Sequence, residues 1–118
     1  MGLNPYDADQ RLEVMLACCF KAVAVHFSHV PVREIICPPH DMFDAALARQ
    51  IAIHILHVEF DVPRRRIVKM QDRQRTSISF AIQRIDNRLT CPVFAKAYGR
   101  MAARAKDIFM QQLEKAAA

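Results

Sequence analysis

Apolar residues that recur every three or four positions constrain the fold of this chain more than any other feature. Side chains at that interval share one face of an α-helix, which turns once every ~3.6 residues. The first such stripe predicts a helix from Asp9, which can cap its start, to about Phe27. The members of this stripe are Leu12, Leu16, Cys19, Val23 and Phe27.

A short helix and a longer one are expected next. Ser28–Pro31 forms a turn, and Val32–Ile36 makes a short second helix. The loop that follows contains two consecutive prolines, which exclude a helix there. Asp41 or Asp44 then caps a third helix that runs to about Phe60. Its apolar stripe is Leu47, Ile51, Ile55 and Val58, with Ala48 and Ala52 beside it.

The segment Val62–Leu89 predicts two helices joined by a tight turn. Pro63 suits the first turn of a fourth helix, where its missing N–H group is not needed, and Ile67 and Met70 face inward. A fifth helix starts near Gln74–Thr76. The apolar edge of the fifth helix is Ile78, Ile82, Ile85 and Leu89, and its opposite side is Thr76, Phe80, Gln83, Arg84 and Asn87.

A last helix is predicted from about Val93 to Lys115, and Thr90 is a candidate cap for it. Its apolar spacing is heptad-like but covers only about two heptads, so we expect it to pack on the core. The alternative is a docking surface for a partner or for a second copy of the chain. The apolar edge is Phe94, Tyr98, Met101, Ala105 and Ile108.

The composition agrees with a single all-α domain. The chain has 118 residues, of which 53% are hydrophobic and only 2 are glycine. We therefore expect a helix-turn-helix bundle of five to six helices. It comprises one domain over 1–118, a helix-turn-helix core at 22–89 and a C-terminal helix at 92–115.

Charge is distributed very unevenly along the chain. Residues 1–62 contain 4 Lys/Arg and 8 Asp/Glu, a net −4, whereas residues 63–118 contain 13 and 4, a net +9. The basic half predicts a polyanion as partner, and the alternative is a solvated basic surface. The acidic half offers a surface for a protein partner.

Several kinds of site are not expected. His54 and His57 lie three apart, as metal ligands can, but no third ligand is evident, so we interpret them as polar residues beside the core. The two glycines cannot form a phosphate-binding loop, and no nucleophile lies in a recognisable triad. The sequence therefore predicts neither an enzyme nor a metal or other cofactor. No Cys-x-x-Cys pair occurs, and we expect all four cysteines to be buried, namely Cys18, Cys19, Cys37 and Cys91.

No membrane contact is expected either. The longest apolar run, Val14–Phe20, is far shorter than the ~20 residues of a membrane-spanning helix. The polar, acidic start predicts no signal peptide. The expected location is the cytoplasm, in association with the nucleoid.

Five stretches of the chain follow the element order of a known family: Val23–Phe27, Val32–Ile36, Ala48–Ile53, Arg73–Ile78 and Ala81–Ile85. They resemble the opening helix, the V-x-D/E-L-L element, the A-R-x-x-A-M stretch, the R-D-H-T/S-T-V stretch and the recognition helix of the C-terminal DNA-binding domain (domain IV) of the bacterial replication initiator DnaA. The chain is also similar, more weakly, to small alphaproteobacterial transcription regulators with such a domain, among them activators of gene transfer agents.

This resemblance implies an all-helical fold that binds duplex DNA. Arg49 matches an arginine that contacts DNA in the family, and Thr76 matches a base-reading residue. Gln74 and Arg75 stand where the family has an Asp-His pair, so the family's own DNA box is not implied.

The sequence thus predicts a sequence-preferring, double-stranded DNA-binding protein that regulates transcription. In this interpretation Arg75 bonds a guanine edge, Gln74 or Gln83 an adenine, and the Thr76 methyl a thymine methyl. The alternatives are contacts to phosphate alone, RNA binding, or an interaction module that docks on RNA polymerase, a nucleoid protein or the replication initiator. The oligomeric state is left open. The expected DNA contacts are Arg49, Arg64, Arg65, Lys69, Arg73, Gln74, Arg75, Thr76, Ser77, Phe80, Gln83 and Arg84.

Overall fold

The structure, a computed structural model, describes residues 4, 6–38 and 42–117. Over these residues the chain folds into six α-helices without any strand, which confirms the predicted all-α fold with a long C-terminal helix. The helices are α1 (Ala8–His26), α2 (Val32–Ile36), α3 (Phe43–Val58), α4 (Arg64–Gln71), α5 (Arg75–Arg88) and α6 (Pro92–Ala117).

Helix α3 lies at the centre of the fold. It packs against α1, α2, α4 and α5, and every residue from Ile51 to Leu56 is buried. Because α3 is covered on nearly all sides, its buried residues do not follow a single stripe. Ile53 and His54 are core residues, and the expectation that Val58 belongs to the core is wrong, since that side chain is 49% exposed.

Helix α6 packs along α1, as its apolar spacing predicts. Tyr98, Met101 and Ala105 are buried, and Phe109 continues the same face one turn later. The ring of Phe109 meets that of Phe60 edge-on at a centroid distance of 5.6 Å, which ties α6 to the end of α3. No helix in the described part of the chain, α6 included, combines the length and apolar character needed to cross a bilayer.

Two helix caps differ from the prediction. Asp7, not Asp9, caps α1: its carboxylate accepts hydrogen bonds from the backbone N–H groups of Asp9 and Gln10 at 3.0 and 3.2 Å. Because only an extended residue just before the helix can reach those groups, Asp9 is already helical. The Thr90 hydroxyl donates to the Asn87 carbonyl at 2.8 Å, so it terminates α5 instead of capping α6.

The start of α3 has no side-chain cap. Met42 occupies the N-cap position, and Asp44 lies in the first turn, where its charge favours the positive end of the helix. Asp41, the other candidate cap, lies outside the described residues. The helix ends at Val58, two residues before the predicted Phe60.

Two of the four cysteines depart from the expected burial. Cys18 and Cys19 are buried in α1, and burial raises the pKa of both thiols. Cys37 and Cys91 are exposed, which contradicts the prediction that they are core residues. Both lie next to a proline at the edge of a helix, outside any apolar stripe.

Helices α4 and α5 are joined by a short turn and are held against the core by buried side chains. Asp72 ends α4 in the left-handed conformation (φ 49°), and its N–H bonds back to the Lys69 carbonyl. Such a residue reverses the chain direction within a few residues, so α5 begins at Arg75. The buried Ile67 of α4 and Ile78 and Ile82 of α5 pack into the core. These apolar side chains therefore hold both α4 and α5 on the bundle.

Candidate nucleic-acid interface

Helix α5 has one buried apolar side and one exposed, mostly polar side. Ile78, Ile82 and Ile85 are at most 1% exposed and pack toward α3. The side that points away from them is exposed, as predicted, and we call it the outer face of α5. It consists of Thr76, Phe80, Gln83 and Asn87.

Phe80 is the one apolar side chain on the outer face of α5. It is 60% exposed, so it does not pack against another described helix. Together with Gln83, Arg84 and Asn87 it lines an open surface hollow of about 410 Å³. An exposed aromatic beside amides and a guanidinium is suited to contact another molecule.

Arg84 is positioned by an aromatic residue that sequence reasoning missed. Its guanidinium carbon lies 5.2 Å from the ring centroid of Phe43, at the start of α3. Arg88, one turn later, lies 5.9 Å from the same ring and 6.0 Å from that of Phe94. These cation–π contacts leave Arg84 half-buried, with less freedom than an ordinary surface arginine. No local pattern predicts them, since Phe43 is distant in sequence.

Five cations lie along α4, in the turn after it and at the start of α5, and we call them the basic corner. None of them takes part in an ion pair among the described residues, and all five are exposed. Their charges therefore remain available to an external anion. They are Arg64, Arg65, Lys69, Arg73 and Arg75.

Arg66 differs from its two arginine neighbours. Its Nη2 donates to the Asp9 carboxylate at 3.3 Å, so it joins α4 to α1. Successive side chains on a helix are rotated by about 100° around its axis, so three consecutive residues cannot all lie on the same face. Among the described residues, Arg66 is the one of the three that forms an ion pair.

The N-terminus of α5 adds positive electrostatic potential to that of the basic corner. Its first turn contains no acidic residue, and the N-cap residue Gln74 makes no side-chain cap hydrogen bond. The first N–H groups of a helix have no partner within it and carry partial positive charge. With Arg73 before Gln74 and Arg75 after it, this helix end favours a phosphate group. Ser77, in the same turn, is half-buried.

Arg49 does not lie on this surface, although a DNA contact is expected for it. Only 5% of it is exposed, and its Nη2 donates to the Gln71 side-chain oxygen of α4 at 3.2 Å. The Nε atom has no hydrogen-bond partner among the described residues. Burial, and then the neighbouring charge of Arg73, lower the pKa of Arg49 to about 10, so it stays charged at neutral pH. Arg49 is therefore a buried cation, and its guanidinium is not part of the exposed surface of α4 and α5.

His54 connects α5 to the rest of the fold. Its Nε2 lies 2.6 Å from the Asp86 carboxylate of α5, and its Nδ1 lies 2.6 Å from the Tyr98 hydroxyl of α6. A carboxylate only accepts, so Nε2–H donates to Asp86 and Nδ1 accepts from Tyr98. Burial and the negative charges around it, including that of Glu59, raise the pKa of Tyr98. The interpretation of His54 as a polar residue at the core's edge is wrong, since only 1% of it is exposed.

His57 also has a structural partner. Its Nδ1 donates to the Val62 carbonyl at 2.8 Å, which holds the segment between α3 and α4. Within the described residues, no group of three or more metal-binding side chains comes together. The hydrogen-bond partners of His54 and His57 therefore belong to the fold itself.

No protein-family model, curated protein or solved structure matches this chain.

Proposed function

We propose that this protein binds double-stranded DNA with a sequence preference and regulates transcription, and that α5 enters the major groove. The observation that carries the proposal is the two-sided character of α5. One side is anchored in the core, and the other presents a row of polar side chains next to five unpaired cations. A helix held in this way can be presented to a duplex without ordering on binding.

The dimensions of α5 limit which residues reach base edges. With a rise of about 1.5 Å per residue, Phe80 lies roughly 7.5 Å beyond Arg75 along the axis, and Asn87 roughly 18 Å. The major groove, about 12 Å wide, admits the diameter of a helix that lies along it, and the N-terminal residues of such a helix contact base edges. We therefore assign the base contacts to the residues from Gln74 to Phe80, whereas Gln83 and Arg84 lie further along α5.

The basic corner supplies phosphate contacts in this proposal. Arg64, Arg65 and Lys69 belong to α4 and Arg73 to the turn before α5, and we assign them to the DNA backbone beside the groove that α5 occupies. Each neutralised phosphate releases condensed counterions and contributes a slope of about −0.9 to the dependence of log affinity on log salt. Four contacts correspond to a slope of about −3.6.

Base discrimination comes from the first turns of α5. Arg75 can bond the O6 and N7 atoms of guanine, Gln74 can bond adenine, and the Thr76 methyl can meet a thymine methyl. Each well-formed pair discriminates by about 1–3 kcal/mol. All three residues are exposed and lie within one turn of one another.

The interaction-module alternative has weaker support. Two of the acidic residues expected to form a docking surface already have partners within the chain. Asp44 pairs with His29 and Glu59 pairs with Lys106, both at 2.8 Å. The cations of the basic corner have no such partners, so an external polyanion is the better match.

The proposal is tested with Arg75→Ala and Lys69→Ala in competitive gel shifts. A preferred site is first selected from a random duplex library. Arg75→Ala should weaken binding to that site about 10-fold or more while it weakens random duplex much less, because a base contact is lost. Lys69→Ala should weaken both by a similar factor. Equal losses on both duplexes for Arg75→Ala would mean that it contacts phosphate only.

A further inference from the structure

We propose that Phe80 is a thymine-specific reader, which contacts the 5-methyl group of one thymine in the major groove. The inference rests on the proposed DNA binding, and it names the base that one residue of the interface contacts. It starts from a side chain whose exposure nothing within the described chain explains. Phe80 is 60% exposed, whereas the apolar side chains on the opposite edge of α5 are at most 1% exposed.

Phe80 lies on the face of α5, and in the turn of that helix, from which a side chain can reach a base edge. It follows Thr76 by one helical turn, about 6 Å along the axis, on the same outer face. When the start of α5 contacts base edges, Phe80 is on the same face in the next turn and can reach a base edge as well. An open hollow of about 410 Å³ lies beside it and is also lined by Gln83, Arg84 and Asn87.

The chemistry of the groove then selects the base. In the major groove thymine is the only base with a methyl group, whereas guanine, adenine and cytosine present mainly hydrogen-bond donors and acceptors. A phenyl ring placed over guanine O6 or the amino group of cytosine would remove water without replacing its hydrogen bond. The same ring against a methyl group removes apolar surface from water on both sides. Phe80 therefore favours thymine and disfavours the three other bases.

A different use of the ring, as a wedge between base pairs, does not suit this geometry. Wedge residues enter from the minor groove and act by unstacking a base step. Phe80 lies on the face of a helix, flanked by Thr76 and Gln83, and a helix of this diameter fits the major groove. The neighbouring Arg84 lies over the ring of Phe43, and the Phe80 ring remains 60% exposed.

The test replaces each thymine of a selected site, one at a time, by deoxyuridine, which lacks only the methyl group. Duplexes of about 20 base pairs are compared by competitive binding with the wild-type protein and with Phe80→Ala and Phe80→Leu. One replacement should weaken wild-type binding about fourfold, the factor for one buried methyl group. The same replacement should change Phe80→Ala binding by less than about 1.5-fold, and Phe80→Leu should keep most of the discrimination.

Thr76→Ser is the matched control, because it removes the other methyl group on the outer face and keeps the hydroxyl. It should abolish the response of a different thymine and leave the Phe80-dependent one unchanged. If no thymine shows a response that depends on Phe80, or if the response disappears only in Thr76→Ser, the inference is overturned while the DNA-binding proposal stands. If no duplex is selected and none is bound, the DNA-binding proposal itself fails. Phe80 is exposed, so helical content and melting temperature should match the wild type in both Phe80 variants.

Discussion

Replacing the buried cation Arg49 by methionine should make the free protein more stable. Arg49 is only 5% exposed, pairs with no carboxylate in the described structure, and has a partnerless Nε atom. Its pKa is lowered from 12.5 to about 10, a difference of about 2.5. At about 1.36 kcal/mol for each pKa unit, the environment disfavours the charge by up to roughly 3 kcal/mol.

Part of that gain is offset by a lost hydrogen bond. The Arg49 Nη2 donates to Gln71 at 3.2 Å, and a bond of this kind contributes about 1.5 kcal/mol. Gln71 is half-buried and can bond to water after the substitution, and methionine fills the path of the arginine stem. The net expectation for Arg49→Met is an increase of about 1–2 kcal/mol in the free energy of unfolding. For a domain of this size, each kcal/mol raises the melting temperature by about 4 °C.

Urea denaturation and thermal melting of the free protein measure this change. Arg73→Met is the matched control: it also removes one positive charge, but from an exposed residue, and should change stability by less than about 0.5 kcal/mol. Duplex affinity of Arg49→Met should fall while its stability rises, because the field beneath the basic corner is weakened. A loss of more than about 1 kcal/mol in Arg49→Met would refute the reasoning that the buried charge is unfavourable.

Three other predictions concern the stability of the fold. Asp7→Ala removes the carboxylate that caps α1 and should lower the free energy of unfolding by about 1 kcal/mol in urea titrations, whereas Asp9→Ala should have less effect; the reverse order would contradict the assignment of the cap. Tyr98→Phe leaves the buried Nδ1 of His54 without its donor and should lower that free energy by about 1–3 kcal/mol, and an unchanged value would mean that the 2.6 Å contact contributes nothing. Because the folded pKa of Tyr98 lies above its ordinary value of 10.0, the unfolded chain loses this proton first, and stability should fall as pH rises above about 10. Tyr98→Phe should show a shallower fall than wild type over the same pH range, and equal slopes would show that the buried hydroxyl does not titrate differently in the two states.

Local periodicity is enough to predict the helices. Apolar spacing and prolines place the bounds of α1, α2, α5 and α6 within two residues of those observed, although the predicted caps of α1 and α6 are wrong. The outer face of α5 is also predictable, because the 100° rotation per residue separates Thr76 and Phe80 from Ile78 and Ile82. These features depend only on residues a few positions apart.

The contacts that position the site depend on residues far apart in sequence and could not be predicted. Arg49 is 22 residues from Gln71, and its burial under the corner follows from how α3 packs against α4. His54 is 32 residues from Asp86 and 44 from Tyr98. The sequence around a helical histidine does not show whether its side chain is exposed to solvent or is buried and hydrogen-bonded to two partners. Only the tertiary structure distinguishes these cases.

The salt dependence of duplex binding tests the central claim most directly. Affinity for a random-sequence duplex is measured over a range of salt concentrations for the wild type, for the double variant Arg64→Gln/Arg65→Gln, and for Lys96→Gln/Arg100→Gln on α6. If the basic corner contacts phosphates, the wild-type log–log slope is about −3.6, the corner variant is less steep by about 1.8, and the α6 variant, which removes the same charge, keeps the wild-type slope. A flat wild-type slope, or an equal change in both variants, would contradict the claim that this corner holds DNA.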